Sequence, residues 1–230
     1  MIRFDQVHKR YANGRDALAG VSLNIASGEM VFLTGHSGAG KSSILKLIAL
    51  IERPSRGQVW VDNQNTANIR PRGIPEFRRR LGVVFQDHKL LADRSVAENV
   101  ALPLIIAGTA QREIDKRVRA ALDQVGLLGK EKLRPLELST GEQQRIGIAR
   151  AVVAKPQLLI ADEPTGNLDP ELALEIMRLF KRFNDVGVTV VIASHDVHLI
   201  DHLSARRIVL EEGRVAAAPP AAITPTRAPA

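Results

Sequence analysis

One segment near the start of the chain restricts the possible folds more than any other. Residues 35–42 match the phosphate-loop pattern G-x-x-x-x-G-K-[ST]. The apolar run Val31–Thr34 precedes them and a helical run, Ser43–Ile51, follows, which is the strand–loop–helix setting that the pattern requires. The loop consists of Gly35, His36, Ser37, Gly38, Ala39, Gly40, Lys41 and Ser42. The sequence therefore predicts an α/β fold in which this loop binds phosphate.

The residue types in the loop suit a nucleoside triphosphate. Its glycines let the backbone curl, so that successive N–H groups and the start of the following helix face the phosphates. Lys41 adds a positive charge toward the β- and γ-phosphates, and the hydroxyl of Ser42 can ligate Mg²⁺. The pattern alone does not choose among nucleotide-hydrolysing families.

Further apolar runs predict two sheets. Ile2–Val7 and Gln58–Val61 alternate, which predicts an antiparallel accessory sheet, and 207–216 predicts a hairpin with Gly213 in its turn. Continuous runs suit strands that are buried on both faces of a parallel sheet. Four runs are of this kind: Met30–Thr34, Leu81–Phe85, Leu158–Ala161 and Val188–Ala193. We therefore expect a parallel core sheet.

A mostly helical stretch interrupts this pattern. Within it, Arg112–Val125 repeats apolar residues at helical spacing, and Gly126 is placed to cap the helix. We predict one domain over residues 1–215 that contains a helical subdomain at about 92–153. Residues 216–230 are rich in Ala, Pro and Thr, which predicts a disordered tail.

Composition narrows the classes of function. The chain has no cysteine, which excludes disulfides and thiolate metal sites. No run approaches the roughly 20 apolar residues that span a bilayer, so any membrane spans would come from a partner. The net charge of +7 suits nucleic acid, an anionic membrane surface or a plain basic exterior. The densest arginine cluster, at 70–80, has no interleaved aromatic residues, which disfavours single-stranded nucleic acid.

Two carboxylates follow the apolar run Leu158–Ala161. A buried parallel strand would deliver Asp162 beside the phosphate loop, where it can hold Mg²⁺ through water. Glu163 is then placed to polarise an attacking water. Such a pair alone also suits a solvated acidic turn, but its combination with the phosphate loop favours catalysis.

Residues 138–145 read Leu-Ser-Thr-Gly-Glu-Gln-Gln-Arg and resemble the signature motif of ABC ATPases. From the residues themselves, Ser139 and Glu142 predict a capping box at a helix start. The resemblance implies that Ser139, Gly141 and Glu142 face the γ-phosphate bound by a second copy, so that the site is complete only in a homodimer. It also implies a P-loop NTPase fold with a parallel core sheet, an antiparallel β-subdomain and a helical subdomain.

Thr140 departs from the family pattern, which usually has a glycine at this position. A β-branched side chain narrows backbone freedom and adds bulk facing the phosphate. We predict that Thr140 slows hydrolysis or weakens ATP-driven dimer closure without abolishing binding.

The ABC resemblance extends from Ile2 to about Val215 and assigns further roles. It implies ATP and Mg²⁺ as ligands, with Tyr11 stacked on adenine and Ser43 joining the phosphate loop. It implies that Gln86 touches Mg²⁺ and that His195 contacts the γ-phosphate. Residues 166–169, Gly-Asn-Leu-Asp, would cross the dimer interface.

An alternative for the histidines is a zinc site. His195, His198 and His202 stand at spacings of three and four, which could bring them together on a helix. We disfavour this alternative, because no cysteine or nearby carboxylate pattern completes a ligand set and His195 is predicted to lie in a loop.

Two segments resemble the cell-division branch of the ABC family, the FtsE-type ATPases. They are residues 85–94, Phe-Gln-Asp-His-Lys-Leu-Leu-Ala-Asp-Arg, and 101–108, Ala-Leu-Pro-Leu-Ile-Ile-Ala-Gly. This resemblance implies a cytoplasmic ATPase held at the inner face of the membrane by a four-span partner of the FtsX type, with FtsZ as a further partner. The complex would regulate cell-wall hydrolysis.

Other classes remain as alternatives. Lipoprotein-release and macrolide-export ATPases share residues 162–169 with the cell-division branch. A nucleic-acid-associated ABC ATPase shares most motifs, but this chain has neither a long coiled-coil insertion nor a second cassette, so no specific nucleic acid is expected. A GTPase would need a guanine-specificity segment N-K-x-D, which the sequence lacks.

Overall fold

The computed structural model describes residues 1–166, 168–196, 199–200, 203 and 205–216. The strands within these residues form two β-sheets. The strands are β1 (Ile2–Arg10), β2 (Asp16–Ile25), β3 (Met30–Thr34), β4 (Arg56–Val61), β5 (Gln64–Asn65), β6 (Leu81–Val84), β7 (Leu158–Asp162), β8 (Thr189–Ala193), β9 (Arg206–Glu211) and β10 (Arg214–Val215). The helices are α1 (Lys41–Ile48), α2 (Ile74–Arg79), α3 (Val96–Ile106), α4 (Gln111–Gln124), α5 (Thr140–Val152) and α6 (Pro170–Asp185).

The larger sheet has the order β10-β9-β3-β8-β7-β6, and β9 to β6 are parallel. The smaller sheet, β2-β1-β4-β5, is antiparallel. The predicted parallel core and antiparallel accessory sheet are thus confirmed. Three of the four continuous apolar runs form the central strands β3, β8 and β7, whose residues are nearly all buried. The fourth forms β6 at the edge of the sheet, where Leu81 and Val83 are only partly buried.

Alternate side chains of the core strands pack into two separate apolar clusters, one on each face of the larger sheet. On β3, Phe32 faces α3, α5 and α6, whereas Val31 and Leu33 face α1 and the antiparallel sheet. All three are fully buried. This two-sided burial holds the carboxyl ends of β3, β7 and β8 at one edge of the sheet, which is where the phosphate loop and the two acidic residues emerge.

Several local predictions need correction. The helical run after the phosphate loop was expected to reach Ile51, but α1 ends at Ile48 because Leu50 takes a left-handed φ of 52°. The alternating strand β2 was not assigned from the sequence, although it pairs with β1. The predicted hairpin is present with Glu212 and Gly213 both left-handed, as a tight two-residue turn requires, and its first strand also joins the core sheet.

Helices α3, α4 and α5 lie within residues 92–153. Residues 217–230 lie outside the described residues, so the predicted tail stays a prediction. Within the described part of the chain, no helix is long and apolar enough to cross a membrane.

Candidate nucleotide site

The phosphate loop depends on glycines for steric reasons. Gly35 has a φ of 140°, and a Cβ there would lie 2.2 Å from the carbonyl oxygen of Leu210 on β9. Gly40 has a φ of 111°, and a Cβ there would lie 2.7 Å from the carbonyl oxygen of Ala17. The loop therefore curls tightly between two strands, and α1 begins directly after it at Lys41.

Lys41 lies inside the curl and is only 7% exposed. Its ammonium donates to the carbonyl oxygens of Gly35, at 2.8 Å, and His36, at 3.3 Å. The same nitrogen lies 3.7 Å from Oε1 of Glu163. The strongest positive charge of the site is thus fixed at the centre of the loop, opposite the predicted catalytic carboxylate.

The predicted metal ligands meet at the start of α1. The hydroxyl of Ser42 donates to Oδ1 of Asp162 at 3.0 Å. Burial raises the pKa of Asp162, the Ser42 hydrogen bond opposes this effect, and the neighbouring charge of Glu163 adds to it. A partly buried carboxylate next to a hydroxyl oxygen provides the hard oxygen donors that Mg²⁺ prefers. Gln86 and Ser42 line one cavity beside the phosphate loop. Ser42, Asp162 and Gln86 therefore fit a Mg²⁺ ion.

Glu163 has an unusual backbone that aims its side chain into the site. Its φ is 47°, and its N–H donates to the carbonyl oxygen of Ala193 at 2.9 Å. Its Oε2 lies 2.9 Å from Nδ1 of His195, which comes from the loop after β8. Left-handed residues of this kind persist where the surrounding structure holds them, often at functional sites. The arrangement orients one carboxylate between an ammonium and an imidazole.

Tyr11 lies at the edge of the site, directly after β1. Its hydroxyl is 3.1 Å from the hydroxyl of Ser43 and donates to Oε1 of Glu52 at 3.3 Å. The backbone N–H of Tyr11 donates to the carbonyl oxygen of Arg15, which closes a short turn. The ring is therefore positioned relative to the phosphate loop by its own hydroxyl.

A cavity of about 730 Å³ brings most of the predicted site residues together, a size that suits a nucleotide. The predicted residues that line it are Tyr11, His36, Ser37, Gly38, Gly40, Lys41, Ser42, Ser43, Gln86, Glu163 and His195. Gly35 and Ala39 support the loop from beneath, and Asp162 reaches the site through Ser42.

Sequence reasoning missed two basic residues of this cavity. The guanidinium of Arg15 donates to the carbonyl oxygen of Gly38 at 3.1 Å, and Lys46 lines the wall contributed by α1. Lys46 lies four residues after Ser42 on the same helix, and that spacing could have indicated it. No local pattern marks Arg15, because its partner lies 23 residues away in sequence.

The signature residues lie elsewhere. Ser139 caps α5: its hydroxyl accepts from the N–H of Glu142 at 3.3 Å, and Oε2 of Glu142 accepts from the N–H of Ser139 at 3.0 Å. The predicted capping box is thus present. Together with Gly141 these residues line a separate cavity of about 370 Å³ that does not include the phosphate loop. A single chain does not bring the two groups of predicted ligands together.

The two positions of the usual glycine pair differ sharply. Thr140 is the exposed first residue of α5 with an ordinary helical backbone, so the expected restriction of backbone freedom does not apply. A Cβ at Gly141, by contrast, would lie 2.2 Å from Cδ2 of Leu172 on α6. Thr140 thus stands where the packing leaves room for a side chain, and glycine stands where a Cβ would meet Leu172.

Two other predictions fall partly outside the described residues. In the segment 166–169, Asn167 lies outside the described residues, whereas Asp169 caps α6 by accepting from the N–H of Leu172 at 3.0 Å. In the zinc alternative, His198 and His202 lie outside the described residues. In the described part of the chain, no three His, Cys, Asp or Glu side chains form a group that could hold a metal ion.

Comparison with known proteins defines the class. Residues 18–166 match the ABC transporter family. The chain therefore belongs to the ABC transporter family, as one of its ATP-hydrolysing cassettes.

Two individual proteins are similar to nearly the whole chain. The chain is 57% identical to the cell division ATP-binding protein FtsE of Escherichia coli (strain K12), over 94% of this chain and 97% of that protein. It is 45% identical to the cell division ATP-binding protein FtsE of Bacillus subtilis (strain 168), over 93% of each.

Solved structures show the same fold. The ATP-binding cassette MJ0796, in a dimeric post-hydrolysis state bound to ADP and Pi, is 36% identical and superposes with a TM-score of 0.86. The match covers 94% of this chain and 96% of that one. A second dimeric structure of MJ0796 gives a TM-score of 0.87 at 37% identity.

Proposed function

We propose that this chain is the ATP-hydrolysing subunit of a bacterial cell-division complex that couples ATP-driven dimer closure to a membrane partner. The observation that carries the chemistry is the placement of Glu163, whose carboxylate lies against both Lys41 and His195 at the mouth of the phosphate loop. The near full-length similarity to FtsE proteins supports the process.

The proposed hydrolysis uses the chain's own groups. Tyr11 stacks on the adenine, and the loop N–H groups with Lys41 hold the phosphates and stabilise the charge that develops on them. Glu163 accepts a hydrogen bond from the attacking water and orients it in line with the γ-phosphate. His195 holds the Glu163 carboxylate in that direction and reaches the γ-phosphate. Ser42, Asp162 and Gln86 would hold Mg²⁺, which when bound neutralises charge on the phosphate oxygens.

We propose that the active form is a head-to-tail homodimer. The separate signature cavity supports this, because Ser139, Gly141 and Glu142 lie away from their own chain's phosphate loop. In the dimer, each α5 start faces the nucleotide held by the other copy. ATP favours closure only as far as it binds the closed state better than the open one.

The proposed membrane partner is an integral protein of the FtsX type, with FtsZ as a further contact at the division site. The chain would then lie on the cytoplasmic face of the membrane without spanning it. We propose no specific nucleic-acid partner.

Glu163→Gln tests the function. The amide keeps the side chain's size but accepts hydrogen bonds more weakly, so we expect ATP binding to persist and turnover to fall by about 10²- to 10³-fold. The closed dimer should accumulate, and cross-linking in cells followed by mass spectrometry should recover a four-span membrane protein. The control is the double variant Lys41→Ala, Glu163→Gln, which should not form the dimer.

The outcomes separate the parts of the proposal. Unchanged turnover would contradict the role of Glu163. Recovery of a lipoprotein-release or export permease would keep the ATPase and overturn the cell-division assignment. A variant that stays monomeric in saturating ATP with its partner present would exclude the dimer.

A further inference from the structure

Helix α5 connects the two cavities of this chain. Its first turn carries the signature residues, and Arg150, near its other end, reaches the loop that follows β6. The guanidinium of Arg150 donates to the carbonyl oxygen of Lys89 at 2.7 Å and to that of His88 at 2.5 Å. The two carbonyls lie two and three residues after Gln86, which lines the nucleotide cavity.

The turn that Arg150 holds is intrinsically unfavourable. His88 and Lys89 are consecutive left-handed residues, with φ values of 56° and 48°, and neither is a glycine. Side chains with a Cβ rarely adopt this conformation, and two in succession require support from their surroundings. The paired hydrogen bonds from one planar guanidinium provide that support by fixing both carbonyls at once.

Arg150 has no other evident reason to lie where it does. Arg150 is partly buried, which lowers its pKa, and among the described residues it forms no salt bridge with a carboxylate. A guanidinium that is partly removed from water without a counter-charge normally lowers stability. The hydrogen bonds from Arg150 to the carbonyl oxygens of His88 and Lys89 offset this loss of stability.

A second contact from the same helix reaches the same turn. Gln144 is 1% exposed and lies against the imidazole of His88. Nε2 of Gln144 and Nδ1 of His88 are both buried without a hydrogen-bond partner. A small shift of α5 relative to the turn would change this contact as well.

The far end of the loop is held by α3. Asn99 is fully buried, and its side chain accepts from the N–H of Leu91 at 2.8 Å and donates to the carbonyl oxygens of Leu91 and Ser95, each at 3.0 Å. The segment 88–95 is therefore attached to helices at both ends. Gln86 lies directly before this segment, in the turn that the N–H of His88 closes by donating to the carbonyl oxygen of Phe85 at 3.1 Å.

We propose that Arg150 is a positioning residue for Gln86. By holding the left-handed turn at 88–89, it makes the place of Gln86 in the nucleotide cavity depend on the position of α5, whose other end faces the second nucleotide. The inference rests on the proposed role of Gln86 in the site, and it assigns to Arg150 an effect on turnover rather than on nucleotide binding.

Arg150→Ala and Arg150→Lys in the full chain test this. Lysine keeps the charge but cannot donate to both carbonyls in the same fixed geometry, so both variants should lose about 10- to 100-fold in kcat. The Kd for ATP should change by less than about threefold, because the adenine and phosphate contacts do not involve the turn. Arg182→Ala is the matched control, since Arg182 also donates to a backbone carbonyl, that of Gln124, and neither residue lines the nucleotide cavity or the signature cavity.

A rescue distinguishes positioning from general support. Lys89→Gly relieves the strain at the turn, so in the Arg150→Ala background it should restore part of the lost kcat, and alone it should change little. A kcat within twofold of wild type for both Arg150 variants would overturn the proposal. So would a parallel loss of kcat and ATP affinity that Lys89→Gly does not rescue. If Arg150→Ala does not fold, Arg150→Lys decides the question on the same criteria.

Failure of the proposed function would be seen in a different measurement. Wild-type ATP turnover would then not exceed that of Glu163→Gln, whatever the Arg150 variants do.

Discussion

The phosphate-loop cavity and the signature cavity of this chain are built in opposite ways. In the first, the backbone is unusual: Gly35, Gly40 and Glu163 are all left-handed. Its polar groups point inward, and burial raises the pKa of Asp162. In the second, Ser139 and Glu142 satisfy each other as a helix cap.

The difference extends to electrostatics. Hydrogen bonds from Lys130 and from the N–H of Ser139 hold the pKa of Glu142 below its usual value, so its charge is already stabilised within the chain. The phosphate-loop side keeps Lys41 against backbone carbonyls, with Glu163 beyond them. The first cavity has an unusual backbone and buried polar groups, and the second is a completed helix cap that would act on nucleotide only in the proposed dimer.

Subunit mixing gives the largest expected effect. Lys41→Ala removes the charge of the phosphate loop, and Ser139→Asp keeps the helix cap but places a carboxylate opposite the phosphates. Each variant alone should lose about 10²-fold or more in ATP turnover. Mixed in equal amounts, they should recover roughly a quarter of wild-type activity, because half the dimers are mixed and each has one intact site.

Ser139→Asn is the matched control, since it caps the helix without a charge and should lose less activity than Ser139→Asp. Mixtures no more active than the single variants would show that the two cavities do not form a shared site.

The next largest effect that we expect is on stability, at two glycines of α5 whose surroundings differ. Gly141→Ala forces a Cβ against Leu172, so we expect it to lower the free energy of unfolding by about 1–3 kcal/mol. Gly147→Ala meets nothing within 4 Å, so better helix propensity should leave it neutral or stabilising by up to about 1 kcal/mol. Urea unfolding measures both. Equal effects at the two positions would contradict the packing explanation for Gly141.

Asp162→Asn tests the cost of preparing the metal site. Because the folded-state pKa of Asp162 is raised, its contribution to stability is fully present only at acid pH and is lost as the pH rises through that value. At neutral pH the amide should therefore raise Tm without nucleotide, on the order of 2 °C, and the gain should vanish in acid. Mg²⁺-dependent ATP binding should weaken by at least about tenfold.

Asp123→Asn, on the exposed face of α4, controls for the general effect of removing a negative charge. A lower Tm for Asp162→Asn at neutral pH would contradict the inferred cost.

Thr140→Gly should have the smallest effect. Since the backbone of Thr140 is already helical, only its bulk can act, and we expect glycine to raise turnover or ATP-driven dimerisation by a few-fold at most. Thr140→Ser keeps the hydroxyl and removes the methyl group, so it should give part of the gain. Unchanged turnover and dimerisation in Thr140→Gly would show that the threonine is neutral.

Features with a short sequence span could be predicted without the structure. The phosphate loop needs closely spaced glycines followed by Lys41 and Ser42, and the capping box needs Ser139 and Glu142 three residues apart. Buried parallel strands need continuous apolar runs, so β3, β7 and β8 were recognisable. Each of these depends on backbone geometry within a few residues, which is what a sequence pattern records.

The tertiary structure alone decided the features that join distant parts of the chain. Arg15 donates to the carbonyl oxygen of Gly38, Leu172 occupies the space that a side chain at residue 141 would need, and Arg150 holds a turn some 60 residues earlier. None of these pairs leaves a local pattern, because the partner is chosen by how helices and sheets pack. The amino-acid sequence by itself determined the curl of the phosphate loop, the groups predicted to bind phosphate and the capped start of α5. Packing determined which groups face each other, because only the folded chain brings distant backbone carbonyls within reach of a side chain.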